Sequence, residues 1–204
     1  MKRYFYYIML LVFIASCDKE KTPDLPTGAG VYVVNEGLFN FGNAEVSFYN
    51  PTNSEVTHNL FDAANGYSLG DVGQSMFIKD STGFIVVNNS AKVEVVKVPS
   101  LKRISTISIP GSSPRNFLPV NDSIAYVSEL YAKKIWVVNY LNGTVVNSIA
   151  TQGWIEDMVQ IGAAVFAGQK INILLTGTFA AVYKIDLNSH SVAQHTTFEG
   201  LDVN

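Results

Sequence analysis

Residues 75–109 read SMFIKDSTGFIVVNNSAKVEVVKVPSLKRISTISI. Clusters of Asp, Ser, Asn, Gly and Pro cut this stretch into four short runs rich in Val, Ile, Phe and Thr. The latter residues fit a pleated, half-buried surface, and the former favour turns. The runs are 75–79, 85–88, 93–97 and 103–109, here called A, B, C and D. Four such runs joined by short turns make one antiparallel up-and-down sheet.

The unit recurs along the chain. B-type runs stand at 32–35, 126–129 and 166–169. Each is followed by a C-type run, at 46–50, 135–139 and 182–186, and then by a D-type run, at 55–61, 144–150 and 191–198. A-type runs precede the later units, at 116–120 and 157–161, but only a polar stretch precedes Gly30. The C runs begin at 46, 93, 135 and 182, in steps of 47, 42 and 47 residues. That period, carried by short strands, is the mark of propeller blades. We therefore expect an all-β chain, a β-propeller of four-stranded antiparallel blades. About four blades are present and the first lacks its inner strand. Strand alternation should bury Val31, Val33, Ile85, Val87, Val93, Val95, Ile135 and Val137, or their immediate neighbours, between blades. Because successive strands reverse direction, all B–C loops and D–A connections should emerge on one face. The B–C loops at 36–45 and 170–181 are the longer ones. Elaborated loops on a rigid scaffold are where binding usually resides.

Composition narrows the function classes. The 204 residues are 48% hydrophobic and 15% charged, which excludes a disordered chain. A net charge of -3 argues against a nucleic-acid partner. One cysteine excludes a disulfide framework, and three histidines leave little material for a zinc centre.

The N-terminus reads as an address with an anchor. Lys2 and Arg3 precede an apolar run from Tyr4 to Ile14, too short to span a bilayer and suited to a signal peptide. The run ends in Ile14-Ala15-Ser16-Cys17, which resembles a bacterial lipobox, and Cys17 is the chain's only cysteine. We expect a lipoprotein signal peptide at 1–16, a lipidated tether at 17–29 starting with acylated Cys17, and a propeller domain at 30–204. The tether carries Asp18, Lys19 and Glu20 directly after the cysteine, similar to the charged surface-export signals of Bacteroidetes lipoproteins. Removal of Lys2 and Arg3 leaves 12 basic against 17 acidic residues, a mature charge of -5.

Catalytic signatures are missing. No GxSxG, Walker A, strand-linked GxGxxG or HExxH pattern is present. Gly73-Gln74-Ser75-Met76-Phe77 begins like a nucleophile elbow but lacks the final glycine. His58 stands isolated in a D run, while His190 and His195 face each other across a hairpin as surface polar residues. Glu156 and Asp157 are adjacent carboxylates of the kind mostly solvated at a loop end. We assign no catalytic residue, no cofactor and no metal. The stronger signal is the shared face. Asn35, Asn88, Glu129 and Gln169 occupy equivalent B-strand ends, and Glu36, Phe39, Asn40, Phe41, Asn89, Ser113, Arg115, Tyr131, Gln152 and Trp154 join them from the loops. Carboxamides donate and accept hydrogen bonds together, and aromatics add flat apolar contact. The mixture suits a large neutral polar ligand.

The segments GVYVVNEG (30–37), IVVNNSAKVEVV (85–96), SPRNFLPV (113–120), AYVSELYAKKIWVVN (125–139) and GWIEDMV (153–159) resemble the YncE-like β-propeller surface lipoproteins of Bacteroidetes. The likeness runs from Gly30 to about Gln169. It implies a seven-bladed ring, of which this chain would be the N-terminal, incomplete part. One branch of that family binds cobalamin and passes it to an outer-membrane corrinoid transporter. The resemblance thus implies an outer-membrane, lipid-anchored, surface-exposed protein with a corrinoid ligand and a transporter partner. In that reading Asn35, Asn88, Asn89 and Gln169 pair with the ligand's amides, Phe39, Tyr131 and Trp154 cover its apolar edges, and Arg115 meets its phosphate. A scaffold that binds protein or glycan is the alternative, and a propeller lactonase or quinoprotein-like dehydrogenase is the weaker one.

Overall fold

The computed structural model describes residues 26–170 and 180–198. The expected signal peptide, Cys17, most of the expected tether, residues 171–179 and residues 199–204 lie outside the described residues. Among the described residues fifteen strands form four antiparallel sheets in chain order. The first holds β1 (Val31–Asn35), β2 (Glu45–Asn50) and β3 (Glu55–Thr57). The second holds β4 (Gly73–Lys79), β5 (Thr82–Val87), β6 (Lys92–Lys97) and β7 (Lys102–Ser108). The third holds β8 (Pro114–Pro119), β9 (Ile124–Glu129), β10 (Lys134–Asn139) and β11 (Thr144–Ala150). The fourth holds β12 (Ile155–Ile161), β13 (Ala164–Gln169), β14 (Ala180–Asp186) and β15 (Ser191–Phe198). The expected blade order A-B-C-D is thus observed, and among the described residues the first blade has no strand A. The inner-edge strands β1, β4, β8 and β12 contact one another in sequence, as blades of a propeller do.

Three apolar layers hold the sheets together. Between the first and second sheets, Val46, Phe48, Phe61 and Leu69 meet Ile85, Val87 and Leu101. Between the second and third, Phe84, Val86, Val93 and Val95 meet Phe117, Ala125, Val127 and Val138. Phe84 and Phe117 stack there at 4.4 Å between ring centroids and 14° between planes, with Tyr140 set edge-on to both. Between the third and fourth, Tyr126, Ile135 and Val137 meet Val165, Ala167, Tyr183 and Ile185. The period-two alternation therefore sorts each strand's side chains between the two neighbouring sheets.

One expectation is met through neighbouring residues, and one needs correction. Val31 and Val33 are 55% and 41% exposed, because the β1 face turned to the second sheet carries their neighbours Tyr32 and Val34. The first D run ends early, at Thr57, and residues 60–65 form a helix, α1 (Leu60–Asn65). Asn59 adopts a left-handed conformation (φ 54°) that breaks the strand, and Gly66 (φ 75°) closes the helix by donating to the Asp62 carbonyl. The turn drives Leu60 and Phe61 into the first apolar layer, where a straight strand would leave one of them outside.

Tyr126 is fully buried in the third layer, and its hydroxyl lies 2.7 Å from Nδ1 of His190. Burial, with the Asp186 charge nearby, pushes the phenol up to about 12. A raised folded-state value means that stability is fully present below about pH 10 and is lost as pH rises toward about 12. Urea unfolding should show this alkaline decline in the native protein. Tyr126→Phe should make it shallower, with Tyr32 and Tyr183, also raised by burial, keeping part of it, while losing about 1 kcal/mol at neutral pH with the hydrogen bond. An equally steep decline in the variant would contradict the assignment.

Candidate ligand-binding face

The loops meet as the strand directions require. Asn89 N–H donates to the Asp71 carbonyl, Leu130 N–H to Ser113, and Lys170 N–H to Trp154, at 3.0–3.1 Å. Ala44 N–H donates to Gly70 and Thr151 N–H to Lys133. These bonds tie every described B–C loop to a D–A connection and so define one face.

Strand pairing shows which positions are equivalent. Val87 pairs with Gly73, Glu129 with Pro114 and Gln169 with Ile155. Asn88 therefore stands one residue past the position shared by Glu129 and Gln169, and Val87, fully buried, fills it. Asn88 is itself buried and donates to the Pro114 carbonyl at 2.9 Å. Asn35 donates to Glu45 at 2.9 Å and to Ser47 at 2.8 Å. Gln169 accepts from the Tyr183 hydroxyl at 2.6 Å. Glu129 is 1% exposed and accepts the N–H groups of Ser113, Tyr131 and Ala132 and the indole N–H of Trp136. These four strand-end side chains thus have structural work, joining loops and strands to one another.

Arg115 is committed as well. Its Nε and Nη2 donate to Glu156 at 2.7–3.1 Å, and its Nη1 donates to Gln74. Glu156 also accepts the indole N–H of Trp154 at 2.8 Å, and Lys170 Nζ lies 3.7 Å from it. Trp154 has the Arg115 guanidinium at 5.6 Å and the Lys170 ammonium at 5.9 Å from its ring centroid. Gln74, Arg115 and Glu156 follow the first residue of β4, β8 and β12, each where a bulge shifts the pairing register. A bulge re-aims a side chain, and here three re-aimed side chains on adjacent inner strands form one chain of hydrogen bonds. Positions 74, 115 and 156 recur at 41-residue steps, a signal present in the sequence that a search by residue type passed over. Glu156 is thus no solvated loop carboxylate: its side chain is 13% exposed.

The remaining candidates are accessible. Tyr131 is 75% exposed, Phe39 64% and Phe41 71%. Glu36 is exposed, and its carbonyl accepts from Gly73 N–H at 3.1 Å. Asn40 and Asn89 gather at Asp71, which was missed because a single loop aspartate carries no pattern. His58, expected to be isolated, sits 3.0 Å from the Ser47 hydroxyl and 3.4 Å from Glu45. His190 and His195 lie beside Tyr126 and Tyr183, and the latter pair stacks at 4.8 Å. Among the described residues no three His, Cys, Asp or Glu side chains gather as a metal site.

Four consecutive antiparallel sheets with their inner edges side by side define a β-propeller-type protein. The chain belongs to the family named as a domain of unknown function, DUF5074, whose family model matches residues 29–201. No curated protein sequence matches it. Among solved structures, it is similar to the hydrazine synthase of Kuenenia stuttgartiensis at TM-score 0.64 and 18% identity, over 89% of this chain and 52% of that one. It is also similar to the dihydro-heme d1 dehydrogenase NirN, solved in complex with DHE, at TM-score 0.55 and 12% identity, over 80% of this chain and 34% of that one. The chain thus spans about half or less of the length of these structures, and the likeness is one of fold.

Proposed function

We propose that the chain is a non-catalytic, YncE-like surface lipoprotein that captures a small polar ligand with flat apolar surfaces on its B–C/D–A face, for delivery to an outer-membrane transporter. The ligand that the sequence resemblance favours is a corrinoid. The observation that carries the reading is the fixed indole of Trp154, which donates to Glu156; Arg115 holds Glu156 and in turn donates to Gln74. A preorganised aromatic surface loses little freedom when a ligand docks on it. Tyr131 stands on the adjoining loop, which Thr151 N–H joins to the Trp154 segment through the Lys133 carbonyl. With Arg115 engaged by Glu156, the role of meeting a phosphate passes to Lys170, whose side chain is 54% exposed.

Anchoring at Cys17 fits this orientation. β1 runs from Val31 to Asn35 and ends at the B–C face, so the described chain enters this strand from the opposite side. Mass spectrometry of the membrane-extracted protein should find an acylated Cys17 as its N-terminus. An unmodified N-terminus elsewhere would contradict the anchor.

Titration calorimetry of the detergent-solubilised chain with cyanocobalamin tests the ligand. Saturable heat at micromolar protein is expected, with affinity at least ~10-fold weaker in Trp154→Ala, in line with the loss of one aromatic anchor. No heat, or an affinity that ignores Trp154→Ala, would overturn the corrinoid reading at this site.

A further inference from the structure

We propose a second site on the same face, a notch between the first and second sheets that binds a neutral saccharide through a pair of vicinal hydroxyls. Three segments converge there: Asn40 from the first B–C loop, Asp71 from the connection into β4, and Asn89 from the second B–C turn. Asn40 N–H donates to both Asp71 carboxylate oxygens at 3.1 and 2.9 Å. Asn89 Nδ2 donates to Asp71 Oδ2 at 2.5 Å and to Asn40 Oδ1 at 3.2 Å. Asp71 N–H donates to the Ser90 hydroxyl at 2.9 Å.

This wiring fixes the three side chains and leaves them capacity. A carboxylate has about four acceptor positions, and a carboxamide both donates and accepts. Spare lone pairs on Asp71, the Asn89 Oδ1 acceptor and the Asn40 Nδ2 donors therefore stand side by side at the surface. Each sugar hydroxyl donates one hydrogen bond and accepts others, so adjacent hydroxyls match a carboxylate next to carboxamides. Among the described residues no Lys or Arg bonds to Asp71, and Lys92, beside Gly70, is engaged by Glu94 at 2.6 Å, so the Asp71 charge disfavours an anion and favours a neutral ligand.

Two exposed apolar rings adjoin Asn40 in the sequence. Phe39 and Phe41 flank Asn40 and are among the most exposed large hydrophobic residues of the chain. Their loop is held in place by Phe41 N–H to the Leu38 carbonyl at 3.0 Å, Leu38 N–H to Asn43 Oδ1 at 2.8 Å, and the Ser68 hydroxyl to the Gly42 carbonyl. A rigid loop does not fold its aromatics away from water, so the rings remain presented. The C–H face of a pyranose ring stacks on such a surface while its hydroxyl edge reaches polar partners.

The site takes over Phe39 and Asn89 from the residues expected to meet a corrinoid but uses none of Trp154, Tyr131 or Lys170, so Trp154→Ala separates the two readings. Affinity electrophoresis of the full chain through gels holding soluble β-glucan, α-mannan, galactomannan or xylan tests it, with polygalacturonate as the anionic comparison. Retardation is expected in at least one neutral gel and not in polygalacturonate. Asn89→Ala, and separately Phe39→Ala with Phe41→Ala, should weaken it at least ~10-fold, while Trp154→Ala leaves it unchanged. The phenylalanine variant alters only exposed rings, so its loss of binding is not a loss of fold. No retardation in any neutral gel, equal retardation by polygalacturonate, or retardation that survives both variants would overturn the site.

Discussion

Replacing Glu129 by alanine is expected to destabilise the protein by about 4 kcal/mol, the scale of breaking a buried charged network. The carboxylate is buried at a strand end and accepts from three backbone N–H groups and one indole. Each buried donor left unpaired costs about 1–3 kcal/mol, and water entering the gap recovers part of that. The two flanking loops, 130–133 and the connection through Ser113, lose their common acceptor together. Glu129→Gln keeps one acceptor oxygen but turns an amide toward the same N–H groups, so about half the effect should remain. Urea midpoints measure both, and a Glu129→Ala change below about 1 kcal/mol would show that the loops are held by other means.

Phe84→Ala is expected to cost a similar ~4 kcal/mol for a different reason. Phe84 is 2% exposed and forms the centre of an aromatic cluster with Phe117 and Tyr140. Truncation loses the transfer energy of the ring and leaves a cavity that two strands of each sheet cannot close, the usual 3–5 kcal/mol of a buried phenylalanine. Because this layer is what joins the second sheet to the third, the loss should appear as separation of the unfolding into two steps. A single transition shifted by less than about 2 kcal/mol would mean that the sheets are coupled mainly through their inner strands.

Much of this fold was legible because each blade repeats one pattern. The C runs gave period and direction, and the strands between 73 and 198 fall where turn residues and β-branched runs put them. The first blade was harder. Its D run, Glu-Val-Thr-His-Asn-Leu-Phe, alternates well enough for a strand, and only the left-handed Asn59 and the closing Gly66 mark the helix that follows. Burial at Val31 and Val33 depended on which neighbour the first sheet faces, a tertiary fact that alternation alone leaves open.

The face was legible, but the roles on it were not. Antiparallel alternation alone places the B–C loops beside the D–A connections. Residue type then suggested that Asn35, Asn88, Glu129, Gln169 and Arg115 look outward. Their partners, at separations of 10 to 41 residues, take them inward instead. A polar side chain at a strand end is claimed first by the loop backbone or strand groups beside it, and only pairing register reveals which ones are claimed. Asp71 shows the reverse case: it gains meaning from Asn40 and Asn89, 31 and 18 residues away.

Amide hydrogen exchange, compared with and without cyanocobalamin, tests the central claim most directly: that ligand capture occurs on the B–C/D–A face. Slower exchange is predicted in residues 130–133 and 151–154, with no change in the turns at 80–81 and 121–123 on the opposite side. Protection confined to those opposite turns, or an unchanged pattern at saturating ligand, would contradict it.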